Sequence, residues 1–321
     1  MKVYQFIERH FWIFLISGLV LGLSFPVYNE FLMSLLKPLL MVMLFLVFLK
    51  TDIAQIFKKM KNYRLITSVV FLNMMAIPMI FYLIINFFDH NLAIGVLLLT
   101  AMPAGISTPA FTDIVKGNIA LSASLVIATS MIAPLTVPLL FGIVDVENLT
   151  VNPWWLFKDL AMIIFVPMVT SQLLKSRASR FIERKRHLFT CINIIIVSLL
   201  VYIVMGSQRT AIFNDLITIL WQTGFLYLVF ILLHVFGFIM GFTEDRKGKI
   251  ATAVGAAYMN NGMAIVLAGM YFEPSVVVLV VLSELPWNTL LIPFRKFIRL
   301  REKRSDSEYI DKPKKNNILL R

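Results

Sequence analysis

Apolar runs of about 20 residues recur from one end of this chain to the other, separated by short polar connections. That rhythm leaves little choice of fold. At 1.5 Å per residue, each run is long enough to cross a hydrocarbon core of ~30 Å as a helix. A backbone in lipid must satisfy its own hydrogen bonds, and a helix does so within one segment. Of the 321 residues, 59% are hydrophobic and 15% are charged, with a mean hydropathy of +0.82; soluble domains carry about 25% charged residues. The pattern predicts an all-α polytopic membrane protein with ten spans, at 11–30, 32–50, 65–88, 92–114, 120–144, 153–174, 188–206, 217–241, 250–272 and 275–297. The first follows MKVYQFIERH without a small-residue cleavage site and reads as retained.

Charge then orients the spans. One set of connections holds Lys50, Lys58, Lys59, Lys61, Arg64 and Lys116. The same set continues through Lys175, Arg177, Arg180, Arg184, Lys185, Arg186, Arg246, Lys247 and Lys249. The alternate connections FPVYNE, DHN, VDVENLTVN and FEPS carry no basic residue, and the one after the seventh span carries only Arg209. Lys and Arg stay on the cytoplasmic side, so both termini are expected inside a plasma membrane. The net charge of +12 follows from this placement and from attraction to anionic lipid. The expected partners are the bilayer and a small solute, with no nucleic acid. Cys191 is the only cysteine, which excludes an intrachain disulfide and a thiolate metal cluster.

The fourth span contains TAMPAGISTPAFTD, with Pro103, Gly105, Ile106, Ser107, Thr108, Pro109 and Thr112 at its centre. Each proline costs about 3 kcal/mol in a helix interior, so an interrupted helix is expected here. Ten spans divide into five and five, and a duplicated half with five spans inserts upside down. Inverted repeats characterise secondary transporters, whose sites form near mid-membrane from interrupted helices in equivalent positions. The ninth span should therefore break too, and Asn260, Asn261 and Gly262 lie near its centre. Paired breaks would offer helix N-termini to an anion and carbonyls to a cation.

Further polar groups occupy similar depth. Glu284 lies midway along the tenth span, followed by Pro286 and Asn288; a carboxylate there is costly and marks an interior, working position. Asn73, five residues before Pro78, serves either a site or helix association. Gly255, Gly262 and Gly269 repeat every seven residues and suit close helix packing. Ser122, Ser124, Thr129 and Ser130 could coordinate a cation or simply pack. Lys37, Lys158 and Asp159 are expected to snorkel at outer span ends, and Trp154 and Trp155 to sit in an interfacial belt. His234 reads as a satisfied core residue. No zinc-protease helix, phosphate loop or nucleophile elbow occurs, so no enzyme and no cofactor is expected.

The run PAGISTPAFTDIVKGNIALSASL resembles the fourth and fifth helices of the bile acid:sodium symporter family, and MNNGMAIVLAGMYF resembles its ninth. KPLLMVMLFLVFLKTDIAQIF is similar to the second. The resemblance implies two inverted five-helix repeats, over 11–145 and 146–298, between a cytoplasmic N-terminus at 1–10 and a basic tail at 299–321. It implies a panel domain of helices 1, 2, 6 and 7 and a core domain of 3–5 and 8–10, with broken helices 4 and 9 crossing. An organic anion would bind near the crossing and move by alternating access, ordinarily with sodium. The family's sodium ligands are poorly kept. Its helix-nine glutamate falls on Gly255 and the following glutamine on Met259. Its helix-four asparagine falls on Pro109, its serine on Thr108, and a helix-five threonine on Val126. Ser122, Asn260 and an amide at Asn73 survive, so a sodium ion is expected near Asn73, Ser122, Asn260 and Glu284 if it is held at all. Glu284 is the candidate replacement carboxylate, coupling to a proton or to sodium. An auxin-efflux-carrier-like permease and a non-transporting sensor or scaffold on the same fold are the competing readings.

Overall fold

The computed structural model describes residues 6–7, 10–26, 30–54, 56, 63–144, 152–214 and 216–310. Lys58, Lys59, Lys61, most of VDVENLTVN and the tail beyond 310 lie outside the described residues. Among those described, regular structure is helical, apart from one isolated β-bridge. Among the described residues, seven helices are long and apolar enough to cross a membrane, and three shorter ones are apolar. The protein is a multi-pass membrane protein.

In chain order the principal helices are α1 (Phe11–Ser24), α2 (Leu36–Lys50) and α3 (Tyr63–Ile85), then α4 (His90–Ala101), α5 (Thr108–Ile114) and α6 (Ile119–Val144). They continue with α7 (Pro153–Arg184), α8 (Arg186–Ser207), α9 (Leu216–Met240), α10 (Arg246–Ala257) and α11 (Asn261–Tyr271). The last are α12 (Pro274–Leu282), α13 (Glu284–Thr289) and α14 (Leu291–Ile310).

Local chemistry explains many of the boundaries. Asp89, Asn152, Asp245 and Asn260 cap α4, α7, α10 and α11, each accepting from a backbone N–H of the first turn, which satisfies a donor that the helix leaves unpaired. Pro78 has no N–H to donate and its ring crowds the carbonyl four residues back. The chain answers with a π-helical turn at Leu72–Ala76 inside α3. Two elements outrun their apolar segments. Helix α7 continues through Lys175, Arg177 and Arg180 to Arg184, with a kink at Ala178, and α14 continues to Ile310, well into what the sequence presents as tail. Long basic side chains are good helix formers, so a helix need not end where hydrophobicity does.

Packing sorts the helices. Helix α8 packs along α1 and α2, and α2 along α7; elsewhere α9 lies on α10, α4 on α3 and α12, and α6 on α5 and α10. The two sets meet where α6 touches α7 and where α11 touches α2 and α8. At α11 that seam is close. A Cβ added at Gly262 or Gly269 would lie 3.2 Å from Met43 or 3.3 Å from Leu36 of α2, and one at Gly255 would lie 3.2 Å from Leu125 of α6. The glycine repeat is a packing device.

Candidate functional site

The interruption between α4 and α5 and the one between α10 and α11 meet, and they satisfy each other. Ala104 pairs with Met259 in an antiparallel bridge. Gly105 N–H donates to the Tyr258 carbonyl at 2.7 Å, and Asn260 N–H donates to the Pro103 carbonyl at 2.8 Å. The bridged residues' outward groups are met by side chains. Thr129 Oγ1 on α6 accepts from Ala104 N–H at 3.0 Å, and Trp287 Nε1 on α13 donates to the Met259 carbonyl at 3.2 Å. The Thr108 hydroxyl donates to the Gly105 carbonyl and lies 3.1 Å from the Tyr258 carbonyl. Broken backbone is tolerated at membrane depth only where such partners exist, and here protein supplies them. Gly105 has a steric reason as well: a Cβ there would lie 2.8 Å from the Tyr258 oxygen and 2.9 Å from the Met259 oxygen.

The second break falls slightly earlier than the sequence suggests. It occupies Tyr258 to Asn260, while Asn261 and Gly262 already belong to α11. Asn260 ends the break as a cap, its Oδ1 accepting from Met263 N–H at 3.1 Å. Tyr258 is fully buried and forms edge contacts with Phe111, Trp287 and His234 at ring-centroid distances of 4.9, 5.8 and 5.3 Å.

The predicted site residues fall into separate groups. Glu284 sits at the start of α13, where Asn288 Nδ2 donates to its carboxylate at 2.9 Å and to its backbone carbonyl at 2.8 Å. Beside it, Asn261 Nδ2 donates to Ser283 Oγ at 3.0 Å. Thr112 and Ser122, both fully buried, bond to each other at 3.0 Å and join α5 to α6. Pro103 is buried at the crossing, Pro109 lies in the first turn of α5, and Ser107, after Ile106, is exposed at the N-cap position. Asn73 is buried in the π turn, which packs against α4 and α6.

Other expectations are corrected. Lys37 and Asp159 do not simply snorkel: they form an ion pair at 2.6 Å between α2 and α7, and the Tyr271 hydroxyl at the end of α11 donates to the other Asp159 oxygen. Lys158 lies over the rings of Trp154 and Trp155. His234 is half satisfied, with Nδ1 on the Phe230 carbonyl at 2.7 Å and Nε2 without a partner. Thr129 is the donor-satisfying residue of the first break. Trp287 and Ser283 were not singled out in the sequence. The signal for Trp287 was present, since Glu284, Trp287 and Asn288 follow the i, i+3, i+4 spacing of one helix face.

The model of the Sodium Bile acid symporter family matches residues 37–215, over half of the chain. The chain belongs to the sodium bile acid symporter family. Within it, the chain is similar to the Bacillus subtilis protein named "Uncharacterized sodium-dependent transporter YocS", 26% identical over 287 residues, 85% of each chain. It is also similar to "Probable sodium/metabolite cotransporter BASS1, chloroplastic" of rice (Oryza sativa subsp. japonica) and Arabidopsis thaliana. Those are 22% and 24% identical over 186 residues, covering 56% of this chain and 44% and 45% of theirs. As a sodium bile acid symporter family member, the protein is a secondary transporter and not an enzyme.

Proposed function

We propose that the protein carries a small organic anion across the plasma membrane by alternating access, with both termini cytoplasmic and Glu284 as its ion-coupling group. The ten spans form two inverted five-helix repeats, the two interrupted helices being the fourth of each. Helices α1, α2, α7 and α8 act as the panel, and the remainder as the core that moves against it. The observation that carries this reading is the reciprocal backbone pairing of the two breaks, with the amide-bonded Glu284 carboxylate on the tenth span.

Three further features support it. The N-terminus of α11 opens at the crossing and favours a negative group, which suits an anionic cargo. Gly255 stands where the family has its glutamate, and Glu284 restores a carboxylate to the same helix set. The Tyr271–Asp159 hydrogen bond joins α11 to α7, across the seam that alternating access would open. The side-chain bonds of Lys50 to Thr190 and of Gln172 to Phe48 stay inside one set.

The test is uptake into proteoliposomes of a panel of labelled carboxylates and sulfonates, driven by a sodium gradient, a proton gradient or neither. Saturable uptake of at least one compound is expected, with an ion dependence that Glu284→Gln abolishes. An ion dependence unchanged in that variant would remove Glu284 from coupling, and no saturable uptake of any member would contradict the organic-anion reading.

A further inference from the structure

Resting on Glu284 as the coupling group, we propose that Glu284, Asn261, Asn288 and Ser283 form a sodium site, separate from the positions at which the chain has lost the family's ligands. Four oxygen-bearing side chains gather here: a carboxylate, two amides and a hydroxyl. Asn261 is 3% exposed and Ser283 fully buried. The Oδ1 atoms of both Asn261 and Asn288 are buried and have no hydrogen-bond partner. Buried polar atoms in folded proteins are nearly always paired, so two orphaned amide oxygens on the side chains that bond Glu284 and Ser283 point to a ligand that takes oxygen donors.

The amides are also placed to change roles. Their Nδ2 groups are the atoms now engaged: Asn288 Nδ2 donates to Glu284, and Asn261 Nδ2 donates to the adjacent Ser283 hydroxyl. A half-turn of each amide about its terminal bond exchanges nitrogen for oxygen at nearly unchanged shape. The groups that solvate the bare carboxylate would then coordinate an ion lying against it. Ser283 Oγ donates its proton to the Val280 carbonyl at 2.6 Å, which leaves a lone pair free once the Asn261 amide turns away.

Chemistry narrows the ion. Among the described residues no three His, Cys, Asp or Glu side chains gather as metal ligands, which disfavours a transition metal. Oxygen ligands suit a hard cation, and one carboxylate balances one positive charge. A divalent ion would leave a net charge in the protein interior, at a high desolvation cost. The site also has a lever on transport. Asn261 begins α11 directly after Asn260, whose N–H bonds the Pro103 carbonyl, so an ion joining Asn261 to α13 would hold the crossing to the tenth span.

The experiment measures unfolding midpoints of the purified full chain in lipid–detergent micelles. Sodium, potassium and choline chlorides are compared at equal ionic strength, from mildly acidic to mildly alkaline pH. A saturable, sodium-specific rise is expected in the native protein, because an ion that binds the folded state raises its stability. Asn261→Ala and Asn288→Ala should weaken the apparent sodium affinity at least tenfold, and Glu284→Gln should abolish the response. Asn193→Ala, which removes an equally orphaned amide oxygen on α8, should leave it intact. A midpoint that ignores sodium but follows pH, with the pH response lost in Glu284→Gln, overturns the sodium site and keeps Glu284 as a proton-coupling group. A sodium response that survives Glu284→Gln overturns both. If Glu284→Gln does not fold, Glu284→Asp is read instead: weaker sodium affinity is expected from the shorter arm, and unchanged affinity overturns the site.

Discussion

The two interruptions that meet at the crossing arise in opposite ways. The first is written into covalent chemistry: Pro103 and Pro109 cannot donate, and Gly105 has no Cβ to obstruct the partner strand. The second, Tyr258 to Asn260, contains neither proline nor glycine. It stays open because the first break takes its hydrogen bonds, Trp287 takes its outward carbonyl, and Asn260 caps the helix that follows. One break is local and the other is induced by tertiary contact. The pair is therefore a single cooperative structure, and damage to the first should propagate to the second.

Substitutions can break or sharpen that contrast. The largest effect is expected from Gly105→Ala, whose Cβ meets two backbone oxygens that cannot rotate away. It should destabilise by about 3 kcal/mol, seen as a fall in the unfolding midpoint, and abolish uptake. Thr129→Val keeps the shape but leaves the buried Ala104 N–H without an acceptor, at a cost of about 2 kcal/mol. Asn260→Ala removes the α11 cap and should cost about 1 kcal/mol, while Asn260→Asp, which still offers an oxygen, should recover most of it in the same denaturation measurement. Pro103→Ala should be the mildest, about 0.5 kcal/mol, because the bridge uses the Pro103 carbonyl and alanine keeps one. A Pro103→Ala loss larger than that of Thr129→Val would mean the prolines alone hold the first break open.

That asymmetry also explains what the sequence made legible. The helical membrane class and the first break follow from hydropathy and from Pro103, Gly105 and Pro109, all of which act locally. The π turn beside Asn73 has the same origin in Pro78. Asn260 and Asn261 marked the second break but displaced it, because asparagine advertises the cap and not the unwound residues before it. Glu284 and Asn288 stood out as mid-span polar groups one turn apart, whereas Ser283 acquires meaning only when Asn261 of α11 packs beside it. The Lys37–Asp159–Tyr271 link joins three helices far apart in the chain, and no spacing rule connects them. Thr129 looked like any packing hydroxyl until its partner, a backbone N–H on another helix, was known.

The most direct test of the paired crossing is a cross-link. Ala104 and Met259 face each other as an antiparallel pair whose flanking residues make the hydrogen bonds, so their Cα atoms are about 4.5 Å apart, within disulfide reach. With Cys191 replaced by Ser, the Ala104→Cys/Met259→Cys double variant in native membranes should oxidise to an intramolecular disulfide that raises the unfolding midpoint and is reversed by reductant. An Ala104→Cys/Gly262→Cys control should form little. Failure of the 104–259 pair to cross-link, or equal cross-linking by the control, would contradict the crossing on which the site is built.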